Sequence, residues 1–178
     1  RDVVYHFRLF EFNGSGATVN YNTNAAAGNP ISQTTMAATP GSAVSDLALS
    51  NIGTDRFTVT WTKGTAGTNT LIVVRAGSAP TGPADRNTYD ESAAFGSGSD
   101  LGSGSYVVYT NTGTSVTVTG LTPGTLYYVR AYAFNGADGA QNYRTSDPAN
   151  ANGYTLTLEP TQATAITFGT LADTSYKV

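Results

Sequence analysis

The sequence predicts an all-β fold, an antiparallel sandwich of seven short strands, and three observations carry that prediction. Several segments alternate apolar and polar residues with a period of two, which is the pattern of a strand buried on one face. Turn-forming combinations of Asn, Gly, Pro and Asp separate most of these segments. No window of the 178 residues shows a sustained helical period.

The predicted strands follow one another between residues 46 and 158. Phe57–Trp61 alternates strictly, so its three apolar side chains face one way and its two threonines the other. Residues 70–75 are apolar on both faces, which places them in the middle of a sheet. The seven predicted strands are residues 46–52, 57–61, 70–75, 106–110, 115–121, 127–134 and 153–158.

Composition excludes several classes of function. A formal net charge of -3 gives no basic footprint for nucleic acid, and no apolar run approaches the roughly 18 residues needed for membrane insertion. The chain has no Cys, and its one His, His6, has Tyr128 at the equivalent position of a repeat described below. The sequence therefore predicts no Ser-His-Asp triad, no zinc site, no cofactor and no enzymatic activity.

Four carboxylates form the one acidic cluster that could hold calcium. They lie in residues 76–105, a segment called the insertion from here on, but they lack the close spacing of a calcium loop. We therefore favour solvation of a loop over metal binding. Residues 96–105, GSGSDLGSGS, are predicted to be a turn-rich loop, because no Lys or helix follows to form a phosphate site. The four carboxylates are Asp85, Asp90, Glu91 and Asp100.

The chain repeats itself after 122 residues. Residues 5–27 and 127–149 share nine identities over 23 positions without a gap, including Tyr5 with Tyr127 and the Phe-Asn-Gly triplet at residues 12–14 with that at 134–136. We therefore expect a segment of a longer tandem array. Residues 1–38 (the head) are expected to be the end of one repeat, residues 41–158 a complete domain, and residues 160–178 (the tail) the start of a third repeat.

Residues 121–129, LTPGTLYYV, resemble the segment where a fibronectin type III domain enters its sixth strand. The resemblance covers roughly residues 43–158, extends to both flanking fragments, and implies an immunoglobulin-like sandwich. The insertion, of about 30 residues, departs from the family pattern. The resemblance implies four structural residues, namely Leu121 and Trp61 in the core, Pro123 in the turn, and Tyr127 as the tyrosine corner that hydrogen-bonds back to the backbone.

A narrower resemblance comes from the combination VVRAGSAP, AAFGSGS, YVVYTN and FNGADGAQNY. Together these segments resemble a fibronectin type III subfamily of large secreted bacterial surface proteins. The resemblance implies an extracellular or cell-surface location, with neighbouring copies of the same repeat as partners. We expect the incomplete ends to pair with further copies in a head-to-tail assembly.

Aromatic residues on the predicted outer face are the remaining candidates for binding. They could form an outward ladder that stacks on sugar rings or contacts a protein. Alternatively, they stabilise the sheet as cross-strand pairs and the insertion folds over them, which we favour. The candidate contact residues are Tyr106, Tyr109, Tyr128, Arg130, Tyr132 and Phe134.

The sequence therefore predicts a non-catalytic extracellular repeat module, a structural spacer or adhesive element of a bacterial cell-surface or filament-forming protein. The alternative is a carbohydrate-binding accessory module of a secreted multidomain hydrolase or nuclease, with a polysaccharide as the partner.

Overall fold

The computed structural model describes residues 2–24, 26–67 and 69–162, and those residues form strands with one short 3-10 turn at Gly16–Thr18. The strands are β1 (Val4–Phe7), β2 (Phe12–Asn13), β3 (Asn20–Tyr21), β4 (Ile31–Thr34), β5 (Ser45–Ser50), β6 (Phe57–Thr62), β7 (Asn69–Ala76), β8 (Tyr106–Asn111), β9 (Ser115–Val118), β10 (Leu126–Asn135), β11 (Asn142–Tyr143) and β12 (Ala149–Tyr154).

Two antiparallel sheets form the sandwich. The first has the order β5-β6-β9; the second has the order β11-β10-β7-β8, and β12 also pairs with β10. The described residues contain no α-helix, so the all-β sandwich predicted from the sequence is confirmed. Within the same residues, no helical segment has the length and hydropathy that crossing a membrane requires.

The core lies between the sheets and takes side chains from alternate positions of their strands. Phe57, Val59 and Trp61 of β6 are buried there, facing Tyr127 and Val129 of β10. The rings of Phe57 and Tyr127 meet edge to face, with centroids 6.1 Å apart. Burying a side chain of this size stabilises the fold by about 1.5–3 kcal/mol, so this alternation is the main reason that the two sheets pack.

The last strand begins earlier than the sequence predicts. Residues 153–158 were the expected strand, but β12 spans Ala149–Tyr154. Its inward positions carry small residues because the neighbouring sheet is close: a Cβ at Gly153 would lie 3.0 Å from a leucine methyl of β5. Leu156 and Leu158, at the end of the expected strand, lie beyond β12 and are exposed.

The insertion folds over the outer face of the second sheet. It carries Tyr89 and Leu101 onto side chains of β7, β8, β10 and β11 and so closes a second, smaller hydrophobic cluster. This cover explains why β7 is apolar on both faces, since one face meets the main core and the other meets the insertion. The buried members of the second cluster are Leu71, Val73, Val107, Tyr132, Phe134 and Tyr143.

The insertion also covers the edges of β8 and β9. Val107 N donates a 2.9 Å hydrogen bond to the Ser99 carbonyl at the edge of β8. Just after β9, Phe95 N donates to the Thr119 carbonyl and Thr119 N donates to the Ala93 carbonyl, both at 2.9 Å. Backbone groups on this side of the sandwich are therefore paired, which removes an open edge that could recruit another strand.

The described part of the head forms two small sheets of its own, β1 with β4 and β2 with β3. The three domain boundaries given above stay predictions, and residues 163–178 of the tail lie outside the described residues. Many large apolar side chains of the head are exposed, namely Val3, Val4, Tyr5, Phe7, Leu9, Phe10, Phe12, Tyr21 and Ile31.

Residues 37–40, called the linker from here on, comprise the last two residues of the head and the two that follow, and they lie against the turn between β10 and β11. Asn135 Nδ2 donates a 2.9 Å hydrogen bond to the Ala38 carbonyl. Asn142 Nδ2 donates a 3.0 Å hydrogen bond to the Ala37 carbonyl. Because both side chains donate hydrogen bonds to backbone carbonyls of the linker, they hold the linker against the domain that follows it.

Candidate functional site

The four residues with predicted structural roles occupy the core and the turn before β10. Tyr127 is buried, and its hydroxyl accepts a 2.9 Å hydrogen bond from Thr122 N. Leu121 is buried in the main core, and Pro123 is half-buried in the same turn. The Tyr127 hydroxyl is therefore engaged with backbone inside the fold, and it has no role open to it at a binding surface.

Trp61 lies in the main core at the end of β6. Its ring meets that of Tyr109 edge to face, with centroids 5.0 Å apart. The indole N–H is buried and makes no hydrogen bond in the described residues. Trp61 thus contributes apolar volume and an aromatic contact, not a polar anchor.

Two of the candidate contact residues are not on the surface. Tyr132 and Phe134 of β10 are only 2% and 6% exposed, so an outward ladder that includes them is wrong. The physical reason is the insertion, which packs Tyr89 against Tyr143 at 5.8 Å between ring centroids. Tyr143 in turn packs against Phe134 at 4.8 Å.

Tyr128 and Arg130 lie on the same face of β10 but are half-buried. Arg130 Nε donates a 3.0 Å hydrogen bond to Asn150 Oδ1, and its Nη1 donates a 2.9 Å bond to the Pro80 carbonyl. Burial raises the pKa of Tyr132 next to it, and the hydrogen bond from Arg130 opposes that rise. The guanidinium is therefore committed to fastening the insertion and β12 to the sheet.

Tyr106 and Tyr109 lie on β8, which the structure separates from β10 by the whole of β7. Tyr109 packs against the core tryptophan as described, whereas Tyr106 meets Phe95 of the insertion edge to face at 5.2 Å. The strand next to β10 on this side is β7, so Tyr106 and Tyr109 do not stand beside the β10 residues. The six candidate residues consequently do not form one continuous surface.

Three of the four carboxylates of the insertion accept hydrogen bonds from backbone N–H groups, two of them from strands of the second sheet and one from its own loop. Asp85 Oδ1 accepts a 2.8 Å hydrogen bond from Tyr143 N, and Glu91 Oε2 accepts one from Thr110 N. Asp100 Oδ1 accepts two bonds of 2.9 Å from backbone N–H groups of its own loop. No group of three or more potential metal-ligating side chains occurs among the described residues. Asp85 and Glu91 therefore attach the insertion to β11 and β8, and Asp100 fixes a turn within the insertion, so these three acids do more than solvate a loop.

Tyr143 is the side chain whose titration the fold changes most among the described residues. Burial raises its pKa strongly, and the neighbouring Tyr89 and Asp85 raise it further. Its hydroxyl donates a 2.9 Å hydrogen bond to the Asn87 carbonyl. Tyr143 therefore stays neutral at physiological pH and acts as a hydrogen-bond donor, not as a base.

The head contains a second copy of the hairpin that the insertion covers. In β2–β3, Phe12 lies opposite Tyr21, and in β10–β11, Phe134 lies opposite Tyr143. The two aromatic pairs stand 122 residues apart, so the repeat seen in the sequence keeps its strand register in the structure. The rings of Phe12 and Tyr21 are 5.7 Å apart.

The turns of the two hairpins also agree. Gly14 has a φ of 90° and Gly136 a φ of 88°, a backbone conformation that favours glycine. A Cβ at either position would lie 2.4 Å from the carbonyl oxygen of the residue four places further on. Both positions therefore require glycine for the same reason, and the repeated Asn-Gly of the sequence marks a repeated turn.

The surface of the head has two open hollows. One, of about 680 Å³, is lined by the β2–β3 hairpin and the residues that follow it, including Asn13 and Asn20. The other, of about 530 Å³, lies between Phe7, Leu9 and Ile31 on the apolar side. Both are open surfaces of polypeptide without a cluster of catalytic groups.

Sequence reasoning did not single out the two asparagines that hold the linker. The signal was present, because Asn135 and Asn142 recur as Asn13 and Asn20 at the repeat distance of 122 residues. Asn135 stands before Gly136, and such an Asn-Gly pair by itself indicates a turn. Its side chain additionally grips the backbone of a segment nearly 100 residues earlier, which local sequence patterns do not reveal.

The fold and the tyrosine turn define a sandwich module of the immunoglobulin-like class. The profile of the family "Fibronectin type III domain" matches residues 42–148, which is more than half of the chain. The chain belongs to the fibronectin type III domain family. Modules of this family are typically non-catalytic structural or binding domains, and they are common in extracellular proteins.

Solved structures resemble the chain at low sequence identity. A computationally redesigned β-sandwich protein is 23% identical, with a TM-score of 0.47, over 67% of this chain and 95% of that one. The fibronectin type III domain of human KIAA0970 is 14% identical, with a TM-score of 0.40, over 72% and 85%. A two-domain segment of chicken tenascin is 16% identical, with a TM-score of 0.40, over 81% of this chain and 61% of that segment. Among curated protein sequences, none matches significantly.

Proposed function

We propose that the chain is a non-catalytic extracellular repeat module, a structural spacer or adhesive element of a bacterial cell-surface or filament-forming protein. The observation that carries the proposal is the repeated hairpin. Phe12 and Tyr21 keep the register of Phe134 and Tyr143, and the glycine turn is kept as well. Two equivalent elements at a fixed interval are what successive modules of one array contain.

The linker supports a spacer role. The asparagine side chains described above fasten it to the domain that follows, and Arg144 Nη1 adds a 3.1 Å hydrogen bond to the Pro40 carbonyl. A connection held in this way restricts the angle between consecutive modules. Neighbouring copies of the same repeat, arranged head to tail, are the partners that such a module requires.

Carbohydrate binding was the alternative, and it loses its main support. The aromatic face on which sugars would stack lies under the insertion, with Tyr132 and Phe134 buried. The Arg130 side chain that would accompany them is engaged with Asn150 and Pro80. We therefore retain the spacer or adhesive role.

A set of concatenated polypeptides tests the proposal. Residues 5–126, one period of 122 residues, would be repeated twice, four times and six times ahead of residues 127–158. Electron microscopy and small-angle scattering are expected to show rods whose length grows by one equal increment per period. Compact particles, or chains without a preferred direction, would contradict the spacer role.

A glycan array with the full chain separates the proposal from its alternative. We expect no glycan to be retained. Saturable binding of one polysaccharide class that survives high salt would identify a carbohydrate-binding module instead. Salt is included because weak charge-driven adsorption is screened while stacking is not.

A further inference from the structure

The linker lies on a surface of the following domain that binds its backbone. That surface, called the socket from here on, consists of Asn135, Gly136, Ala140, Asn142 and Arg144. The two asparagines and the arginine donate hydrogen bonds of 2.9, 3.0 and 3.1 Å to linker carbonyls, and the Ala140 carbonyl accepts a 2.9 Å bond from the first N–H of the linker. Because non-proline residues all carry the same backbone groups, these bonds do not depend on which side chains the linker has.

Two positions of the linker are nevertheless restricted by the space around them. Ala37 is 8% exposed, and a Cβ at Gly136 would lie 2.9 Å from the Ala37 Cβ. Pro40 is buried, and a Cβ at Gly67 would lie 3.3 Å from the Pro40 Cβ. The two middle positions are half-buried and exposed. The socket therefore requires a short side chain at the first position of the linker and accommodates proline at the fourth.

A second segment of the chain has the same position at the end of its module. Thr35 Oγ1 accepts a 3.1 Å hydrogen bond from Val3 N, and Thr35 N donates a 2.9 Å bond to the Val3 carbonyl. Thr155 and Thr125 form the same two bonds, at 3.0 Å each. Val3 and Thr125 are 122 residues apart, and Thr35 and Thr155 are 120 apart. Residues 157–160, called the end segment from here on, therefore correspond to the linker.

The end segment meets both restrictions of the socket. Its sequence is TLEP, compared with AATP in the linker. Thr157 is short, and Pro160 keeps the proline of the fourth position. Leucine and glutamate fall at the two middle positions, where the side chains are not buried. Asn142 Nδ2 donates a 3.1 Å hydrogen bond to the Thr39 hydroxyl in the linker, and a glutamate carboxylate at that position is an acceptor as well.

We propose that the end segment of each module docks into the socket of the module that follows, and that the socket selects this segment by its short first residue and its proline at the fourth position. The proposal rests on the proposed function, since a repeat array supplies the following module. It adds that successive modules join through one kind of surface although their connecting sequences differ.

A graft in the full chain tests the proposal. The changes Ala37→Thr, Ala38→Leu and Thr39→Glu together give the linker the sequence of the end segment. In NMR spectra, the side-chain amide signals of Asn135 and Asn142 report the hydrogen bonds of the socket. Residual dipolar couplings report the orientation of the head strands relative to the sandwich. We expect the graft to keep both the signals and the orientation of the unchanged chain.

Leucine at two adjacent positions supplies a matched pair of variants. Ala37→Leu places a longer side chain against Gly136, so we expect the two asparagine signals to shift and the fixed orientation of the head to be lost. Ala38→Leu makes the same change at the half-buried neighbouring position, where the end segment has Leu158, and is expected to alter neither. Backbone amide shifts of β6 verify in each variant that the sandwich is folded.

Two results would overturn the proposal. They are a graft whose asparagine signals shift as those of Ala37→Leu do, and an Ala37→Leu variant that behaves like the unchanged chain. Ala37→Thr is also measured alone, so that a poorly folded graft does not hide the outcome, and a loss of the socket's hydrogen bonds in this variant has the same meaning.

The concatenated polypeptides distinguish this proposal from the proposed function. If they form rods while the graft loses the hydrogen bonds of the socket, selection by the socket is wrong and the proposed function stands. If the graft keeps those bonds while the concatenated polypeptides form no rods, the proposed function is wrong, and docking between successive modules is wrong with it.

Discussion

The Tyr127 hydroxyl ties the turn before β10 to the core through the Thr122 N–H. Replacing Tyr127 with Phe leaves the ring and removes the acceptor, so we expect the free energy of unfolding to fall by about 1 kcal/mol. Urea denaturation measures the change. Tyr154→Phe, at a solvent-exposed hydroxyl, serves as control, and equal behaviour of the two variants would remove the structural role from Tyr127.

Substitutions at Trp61 can separate the effect of side-chain volume on stability from the effect of the indole N–H. Trp61→Ala empties a buried site and should cost about 3–5 kcal/mol. Because the indole N–H makes no hydrogen bond in the described residues, Trp61→Phe should lose volume alone and cost clearly less. Thermal and chemical denaturation report both values. A phenylalanine variant as unstable as the alanine variant would show that the nitrogen matters.

The raised pKa of Tyr143 predicts alkaline destabilisation. The unfolded chain ionises this tyrosine near pH 10, whereas the folded chain keeps it neutral well above that pH. Stability from this group is therefore complete below about pH 10 and falls as pH rises further, by about 1.4 kcal/mol per pH unit. Unfolding measured between neutral pH and strong alkali should show a shallower decline for Tyr143→Phe. An unchanged slope would contradict the prediction.

At the scale of elements, the insertion acts as a third layer over the second sheet. Leu101 packs on the second hydrophobic cluster. Leu101→Ala should cost about 2 kcal/mol, at the low end for leucine because the side chain is half-buried. Leu158→Ala, at an exposed leucine, should change stability little. Hydrogen exchange of β10 amides should rise in the first variant, and equal protection in both would mean that the insertion covers without stabilising.

The strands that could be predicted from sequence are those with large alternating side chains. Phe57–Trp61 shows its core face directly, since each inward position is bulky, and residues 127–134 show theirs at Tyr127 and Val129. The strand at Ala149–Tyr154 gave no such signal, because the space opposite it admits little more than alanine or glycine. Its misplacement is a consequence of packing between sheets, which a local pattern does not contain.

The candidate site shows the same limit more sharply. The alternation of β10 correctly separates Tyr132 and Phe134 from the main core. It does not indicate whether their face is exposed to solvent or covered by a loop. The cover is assembled by contacts such as Asp85 with Tyr143, whose positions are 58 residues apart. Burial of the outer face therefore depends on where the insertion lies. The Gly- and Ser-rich composition of the insertion predicts turns, but it does not predict the path that the segment follows.

For the molecule as a whole, residues 41–158 should fold alone and melt cooperatively. Every strand of the two sandwich sheets, β5 to β12, lies inside these bounds. A version starting at residue 35 should be more stable by about 1–2 kcal/mol, because it regains the hydrogen bonds of the linker. Calorimetry of the two polypeptides makes the comparison. If the shorter one folds only when residues 1–40 are restored, the period is divided at the wrong place.

The fastening of the linker also decides how this domain meets mechanical tension. A pull on the head reaches Ala37 and Ala38 before it reaches β5, and those residues are held by Asn142 and Asn135 at the far end of the second sheet. The force therefore acts first on the hydrogen bonds that Asn135 and Asn142 donate to the linker, on the sheet that carries the insertion. Those bonds have to break before β5 can separate from β6. In single-molecule stretching, the double variant Asn135→Ala, Asn142→Ala should unfold at a lower force than the unchanged protein, since β5 would then bear the tension directly.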